Sequence, residues 1–330
     1  MTIEAHWQRL GLMAVLLFPL SLLFRLISFL RRSLYRIGVL KTASFAAPVI
    51  VVGNISVGGS GKTPLVIWLT QYFREKGLKP GLVARGYRGK ASHWPQQVRS
   101  DSDPAIVGDE AVLLAQRCAC PVCVGPDRPE AVRALLSYTE CDIVISDDGL
   151  QHYAMGRDLE IAVIDGQRRF GNGLSIPAGP LREPVSRLKK ADLVITNGQA
   201  QEGEFSMTLQ NPRVYSLKLG GEAEDISRFK GQKVRAIAGI GNPQRFFGML
   251  ERQGLLVEAH AFPDHYNYKK EDLAFADRLP LLMTEKDAVK CRRIINHDDA
   301  WVVAIEAEPD AAFKHRLNLA LEKVFSGRSD

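Results

Sequence analysis

"APVIVVGNISVGGSGKTP", residues 47–64, sets a short apolar, β-branched run before a glycine-rich turn that closes on Lys-Thr. In a phosphate-binding loop, backbone N–H groups curl around phosphates, a lysine reaches the terminal ones, and the next hydroxyl takes Mg²⁺. Hence the pattern G-x-x-x-x-G-K-[ST]. Gly61, Lys62 and Thr63 fill the last three places, Gly58 and Gly59 keep the turn open, and Pro64 suits the first turn of a following helix. Ser56 stands where the generic pattern has its first glycine. Strand, loop, Lys-Thr and helix in that order read as a nucleotide cradle rather than a plain glycine turn. Its residues are Ser56, Val57, Gly58, Gly59, Ser60, Gly61, Lys62 and Thr63, and its ligands ATP and Mg²⁺.

Outward from this loop, apolar runs alternate with amphipathic stretches. "GLVAR" (81–85), "PVCVG" (121–125), "DIVIS" (142–146), "EIAVID" (160–165) and "ADLVIT" (191–196) read as strands, with helices over 64–76 and 109–117. That rhythm is the signature of a parallel sheet covered by helices. Near residue 200 it changes: "FSMTL" and "VYSLKL", separated by the turn "QNPR" (210–213), predict a two-stranded connection. A second alternation follows, with "VRAIAGI", a helix over 243–253, "LLVEAHAF", "LLMTEKD" and "WVVAIEA". The expected fold is α/β: a P-loop NTPase-like parallel-sheet domain (41–203), a hinge (204–230) and a smaller C-terminal α/β domain (231–330), preceded by an apolar N-terminal helix (1–40). At 330 residues, more than one core is expected.

The composition, 46% hydrophobic and 24% charged, excludes wholesale disorder. The net charge of +6 is concentrated at the start, where Arg9, Arg25, Arg31, Arg32, Arg36 and Lys41 face only Glu4. Basicity beside an apolar segment points to an anionic lipid surface, and the absence of a basic run or aromatic RNA-binding motif elsewhere argues against nucleic acid. No protein partner is evident. The segment 10–30, "LGLMAVLLFPLSLLFRLISFL", admits several readings. A cleaved signal peptide would export a nucleotide site away from its ATP. A single span is interrupted by Arg25 and bent at Pro19, and arginines flank both ends. A buried core helix is usually less apolar all round. The preferred reading is a helix lying in the membrane surface, its arginines reaching phosphates. Five cysteines without framework spacing fit a reducing compartment, and Cys118, Cys120 and Cys123 read as a helix end entering a strand rather than a metal site.

Carboxylates complete the site. "CDIVISDDGLQH" (141–152) ends an apolar strand in Asp147 and Asp148, a mutually repelling pair that a divalent cation makes tolerable. "GDEAVLL" places Asp109 and Glu110 at a helix start, where capping alone accounts for one of them. "FPDHYNY" groups Asp264, His265 and Tyr266 after a strand, and "IPAGPLREP" (176–184) presents Arg182, a cation available to developing phosphoryl charge.

Taken in order, "GNISVGGSGKTP", "ARGYRG", "VGDEAVLLA", "SDDGLQH", "PAGPLREP", "AGIGNPQRFF", "FPDHYNY" and "TEKDAVK" resemble the tetraacyldisaccharide 4'-kinase family over nearly the whole chain. The family carries Ser or Thr where the generic loop has its first glycine, so Ser56 conforms. The resemblance implies transfer of the ATP γ-phosphate to the 4'-hydroxyl of a tetraacyldisaccharide 1-phosphate, the membrane-borne lipid A precursor, at the cytoplasmic face of the inner membrane. It further implies that Lys62 and Thr63 hold nucleotide and Mg²⁺, with Asp147, Asp148 and Glu110 on the metal side. Asp109 would be the base, oriented by His265, Arg182 would neutralise phosphate charge, and Gln151 would support the nucleotide site. Two other classes share parts of the pattern. A soluble small-molecule kinase needs no apolar N-terminus. A partitioning-type ATPase switch carries an extra lysine in the loop, where this chain has Val57 and Gly58.

Overall fold

A computed structural model describes residues 6–218, 220–295 and 299–328; Glu4 and Leu219, the last residue of the second predicted strand of the connection, lie outside them. The chain opens with α1 (Leu12–Arg36), which runs unbroken through Pro19. It continues through β1 (Val49–Gly53), α2 (Lys62–Glu75), β2 (Pro80–Ala84), β3 (Gln96–Val98), the single turn α3 (Pro104–Val107), α4 (Asp109–Cys118) and β4 (Val122–Val124). Next come α5 (Arg128–Tyr138), β5 (Ile143–Asp147), β6 (Leu159–Asp165), β7 (Leu193–Asn197), β8 (Phe205–Ser216) and β9 (Gly220–Asp225). The last part is β10 (Lys233–Ala238), α6 (Pro243–Arg252), β11 (Leu256–Ala261), β12 (Leu281–Thr284), α7 (Glu285–Cys291), β13 (Ala300–Pro309) and α8 (Ala311–Ser326).

Among the described residues, thirteen strands make one continuous sheet, ordered β11-β10-β12-β13-β8-β7-β6-β1-β5-β2-β4-β3, with β9 beside β8. β1, β2 and β5 are buried along their whole length, as expected for parallel strands covered on both faces. β1 lies between β6 and β5, and Val52 pairs with Asp147. The loops that leave the carboxyl ends of β1 and β5 are therefore neighbours, where open α/β sheets place their ligands.

Two expectations are corrected. No turn interrupts residues 210–213: β8 is one strand, antiparallel to both β13 and β9. Its register against β13 shifts between Ala304, opposite Arg213, and Glu306, opposite Gln210. Asn211 and Pro212 sit in that bulge, where a residue without an N–H leaves no ladder bond broken. The boundary at 231 is also not a boundary between cores. Phe313, Leu317 and Leu321 of α8, with Ala307 of β13, pack in the same core as Ile50, Leu65 and Ile145 of the first half. A separate core around β10, with Phe246, Phe247 and Leu250 of α6, remains to the second half.

α1 touches the body along one stripe. Ala14 and Ser21 are buried, and Leu17, Phe24, Ser28, Arg32 and Tyr35 are half-buried, at three- and four-residue spacing. Leu12, Leu16, Leu20, Leu23, Ile27 and Leu30 are all more than half exposed. A core helix is thereby excluded. By length and composition α1 is the one helix among the described residues able to cross a membrane.

Candidate active site

Gly61, the N-cap of α2, adopts φ +95°, and a Cβ there would lie 2.6 Å from the Asn197 amide nitrogen. Gly58 adopts φ +102°, and a Cβ there would lie 2.9 Å from the Arg168 guanidinium. Both places therefore require glycine. The loop's carbonyls are tied from outside: Asn54 donates to Gly58 O (3.3 Å), Arg168 to Gly59 O (2.5 Å) and Asn197 to Ser60 O (3.3 Å). Arg245 of α6, placed in the first turn by the Asn242 cap, donates to Asn197 Oδ1 (2.9 Å). This clamp reaches the loop from the second half. Its members were not singled out in the sequence, where Asn197 and Arg245 look like ordinary polar residues at a strand end and a helix start.

The "PAGPLREP" segment pairs with the other side of the loop. Val57 N–H donates to Pro180 O (2.8 Å), Arg182 N–H to Ile55 O (2.7 Å), and Ser56 bridges to Leu181. Gln151 donates its amide to Asn54 O (3.1 Å) and to Glu183 Oε1 (2.9 Å). Its visible role is to hold the loop to this segment.

Asp148 sits at φ +51°, with its carboxylate 3.5 Å from Lys62 Nζ and 2.9 Å from Arg182 Nη1. Burial opposes its charge, but these two cations outweigh it and hold the carboxyl far below the usual range. Asp147 differs. It is 5% exposed, and its buried Oδ1, like Asp148 Oδ1, has no hydrogen-bond partner, but unlike Asp148 it makes no ion pair among the described residues. Burial, reinforced by Glu110 and Asp148, pushes its carboxyl up to about 7. An orphaned carboxylate oxygen beside a phosphate loop fits a divalent cation. Among the described residues no three His, Cys, Asp or Glu converge on one point. A cation here would take Asp147 with the Thr63 hydroxyl, phosphate oxygens and water, the sparse protein coordination Mg²⁺ favours.

Asp109 opens α4, 7% exposed, and accepts from Glu110 N–H (2.9 Å). Its Oδ2 lies 3.1 Å from His265 Nδ1. Burial raises the Asp109 carboxyl, yet His265 and Lys286 outweigh burial and keep it below its ordinary value, ready as a carboxylate. His265, at φ +59°, is fixed by its N–H to Gly239 O (3.1 Å), by Arg88 donating to its carbonyl (3.2 Å), and by the Tyr87 ring 5.1 Å away. Glu110 pairs with Lys286 Nζ at 3.1 Å. The sequence-predicted carboxylates and His265 are thus brought to one side of the phosphate loop, around a lysine to which the sequence reading gave no role.

The family model described as "Tetraacyldisaccharide-1-P 4'-kinase" (LpxK) matches residues 13–322. The chain belongs to the tetraacyldisaccharide 4'-kinase family. It is 53% identical to the curated tetraacyldisaccharide 4'-kinase of Nitrosococcus oceani over 90% of this chain and 88% of that one. The identity to the enzyme of Hahella chejuensis is 44% over 99% and 98%. The crystal structure of LpxK from Aquifex aeolicus in complex with ATP superposes with TM-score 0.79 at 27% identity, covering 94% of this chain and 99% of that one. The family's reaction is ATP-dependent phosphorylation of the lipid A precursor, and the chain is a kinase of that kind.

Proposed function

We propose that Asp109 is the base of this phosphoryl transfer and that the two halves assemble the reactive site between them. The observation that carries this reading is the 3.1 Å contact between Asp109 on α4 and His265 from the loop after β11. The 4'-hydroxyl oxygen attacks the γ-phosphorus, its proton passes to Asp109, and the bond from phosphorus to the β,γ-bridging oxygen breaks to release ADP. In a loose transition state the hydroxyl loses its proton late, so a carboxylate of ordinary or low pKa suffices. Lys62 and Arg182, both now on Asp148, stand beside the loop where terminal phosphate charge would lie. Asp147 and Thr63 would hold Mg²⁺, with Glu110 and Asp148, each on a cation in this structure, on the same side, and the bound ion would neutralise phosphate charge.

We further propose that the kinase works at the cytoplasmic face of the inner membrane with α1 lying in the lipid surface. The stripe from Ala14 to Tyr35 docks the helix lengthwise on the body, which suits a helix in the plane better than an upright span. A groove of about 250 Å³ opens between that helix and the segment that carries Arg182, bordered by Arg25, Phe29, Arg32, Arg182 and Glu183, and would offer its arginines to an anionic glycolipid.

The test of the base is kinetic. Asp109→Asn should lower kcat by about a hundredfold or more while leaving the Kd for ATP within a few-fold, because the amide keeps the shape but takes no proton. His265→Ala should act in the same direction, and the double variant should lose less than the product of the two. Multiplicative losses, or a defect confined to ATP binding, would sink the pairing.

A further inference from the structure

Lys286 lies in the first turn of α7, its side chain mostly buried against the N-terminal half. Its Nζ is 3.1 Å from His265 Nε2, 3.1 Å from Glu110 Oε1 and 3.7 Å from Asp264 Oδ1. Two carboxylates at ion-pair distance, Glu110 and Asp264, match it as an ammonium, and Asp264 Oδ1 stays 3.9 Å from His265 Nε2, beyond hydrogen-bond reach. An ammonium has three donors and no acceptor, so the imidazole nitrogen facing it must offer a lone pair. The ring proton is then on Nδ1, aimed at Asp109 Oδ2.

We infer that Lys286 is a positioning residue that fixes His265 in the Nδ1–H tautomer, so that the ring donates to Asp109 and takes no part in carrying the substrate's proton. This rests on the reading of Asp109 as the base. The same scaffold sets both side chains. Thr284 caps the start of α7 and is tied to Asp287 both ways, its hydroxyl donating to Asp287 Oδ2 (2.6 Å) and accepting from Asp287 N–H (3.2 Å). The fully buried Asp287 also accepts from Gly239 N–H (3.1 Å) and Tyr268 OH (3.0 Å). Gly239 O in turn holds the His265 N–H. One carboxylate therefore registers the helix bearing Lys286 against the backbone bearing His265. With Nδ1 already protonated and Nε2 capped, the proton from the sugar hydroxyl stays on Asp109 until water removes it.

The experiment compares full-length enzyme in detergent, wild type and Lys286→Met, by ¹⁵N NMR of the histidine rings and by steady-state kinetics. Wild type should show His265 with a protonated Nδ1 and bare Nε2. The Met variant should populate the Nε2–H form and lose at least about tenfold in kcat, with KM for ATP within twofold. Lys286→Arg, which keeps donors at the ring, should restore the tautomer and most of the rate. If Met disturbs folding, Lys286→Leu, which carries no donor, gives the same comparison with the same expectation. An unchanged tautomer, or an unchanged kcat, in the variants without a donor overturns the proposal. Asp109→Asn run alongside separates the two readings. If it is inactive while Lys286→Met is wild-type in both readouts, the base stands and the lysine's role falls. If Asp109→Asn is itself active, the base reading falls.

Discussion

Adjacent residues of identical type, Asp147 and Asp148, end up in opposite electrostatic states. Asp148, turned by its positive φ, meets Lys62 and Arg182, whereas Asp147 continues the strand inward and meets burial and Glu110. The doublet was legible as a metal-side signal, but nothing in "SDDG" says which carboxylate is paired and which is left bare. A folded value of about 7 against an ordinary 3.8 means that Asp147 ionises at a cost to the folded state. Its contribution to stability is fully present below about pH 4, falls as pH rises through about 7, and is flat above. Asp147→Asn should therefore raise the thermal midpoint of the nucleotide-free, metal-free enzyme at pH 8 by about 2–5 °C, with a smaller gain at pH 5. Added Mg²⁺ with a nucleotide analogue should stabilise wild type more than this variant. Differential scanning fluorimetry across pH reads both effects, and an equal gain at both pH values would refute the assignment. His265 shows the other limit of the sequence. Its motif was visible, but the lysine against its ring comes from a separate motif 21 residues later, and only the shared hold on Asp287 brings them together.

At the scale of elements, the strand–loop–helix from Val49 to Glu75 was readable almost to the residue because local chemistry dictates each step. The strand is β-branched, the loop needs glycine at two positive-φ positions, and the helix begins at the lysine. β8 was misread because Asn-Pro is a strong local turn signal, and only the partner strand supplies the bulge that absorbs it. α1 was legible as apolar, but its attachment was not. The Ser21 hydroxyl donates to Ser175 O (2.7 Å) and accepts from Ala178 N–H (2.9 Å), and Trp7 donates to Pro177 O (3.0 Å). The helix is thus bolted to the segment that carries Arg182, and deleting residues 1–36 would disturb that segment as well as any anchor. Substitutions on the open face separate the effects. A leucine side chain buried in lipid is worth about 1.5–3 kcal/mol, so Leu16, Leu23 and Leu30, all changed to Gln, should weaken vesicle partitioning by about a thousandfold or more. Transfer to detergent-dispersed lipid should stay within about twofold. Ser21→Ala should do the reverse, pelleting with anionic vesicles but lowering kcat on either form of substrate. A triple variant that still sediments with vesicles would show that the helix is not the anchor.

The whole molecule is one sheet whose two parallel blocks meet at an antiparallel seam, β8 against β13. The sequence showed both blocks and a change of rhythm between them, but not the seam, since which strand "WVVAIEA" pairs with depends on contacts nearly a hundred residues apart. Two further ties cross between the halves. α8 returns from β13 to bury Phe313 and Leu317 in the first core, and Arg117 at the far end of α4 pairs with Glu285 of α7. These ties constrain closure: with α8 buried in the first core and α7 paired to α4, the second half is not free to swing as an independent body about residues 204–230. They also set how the protein unfolds. The segment 41–203, expressed alone, would leave the apolar surface of α2 and β7 that α8 now covers open to water, and should not fold. Its near-ultraviolet circular dichroism and amide NMR dispersion should be those of an unfolded or collapsed chain. The full chain should unfold in urea in a single transition that fluorescence and circular dichroism report with the same midpoint. Two separated transitions, or a folded 41–203 fragment that binds ATP, would instead mean that the seam joins two independently stable domains, and the hinge would regain the freedom that the shared core denies it.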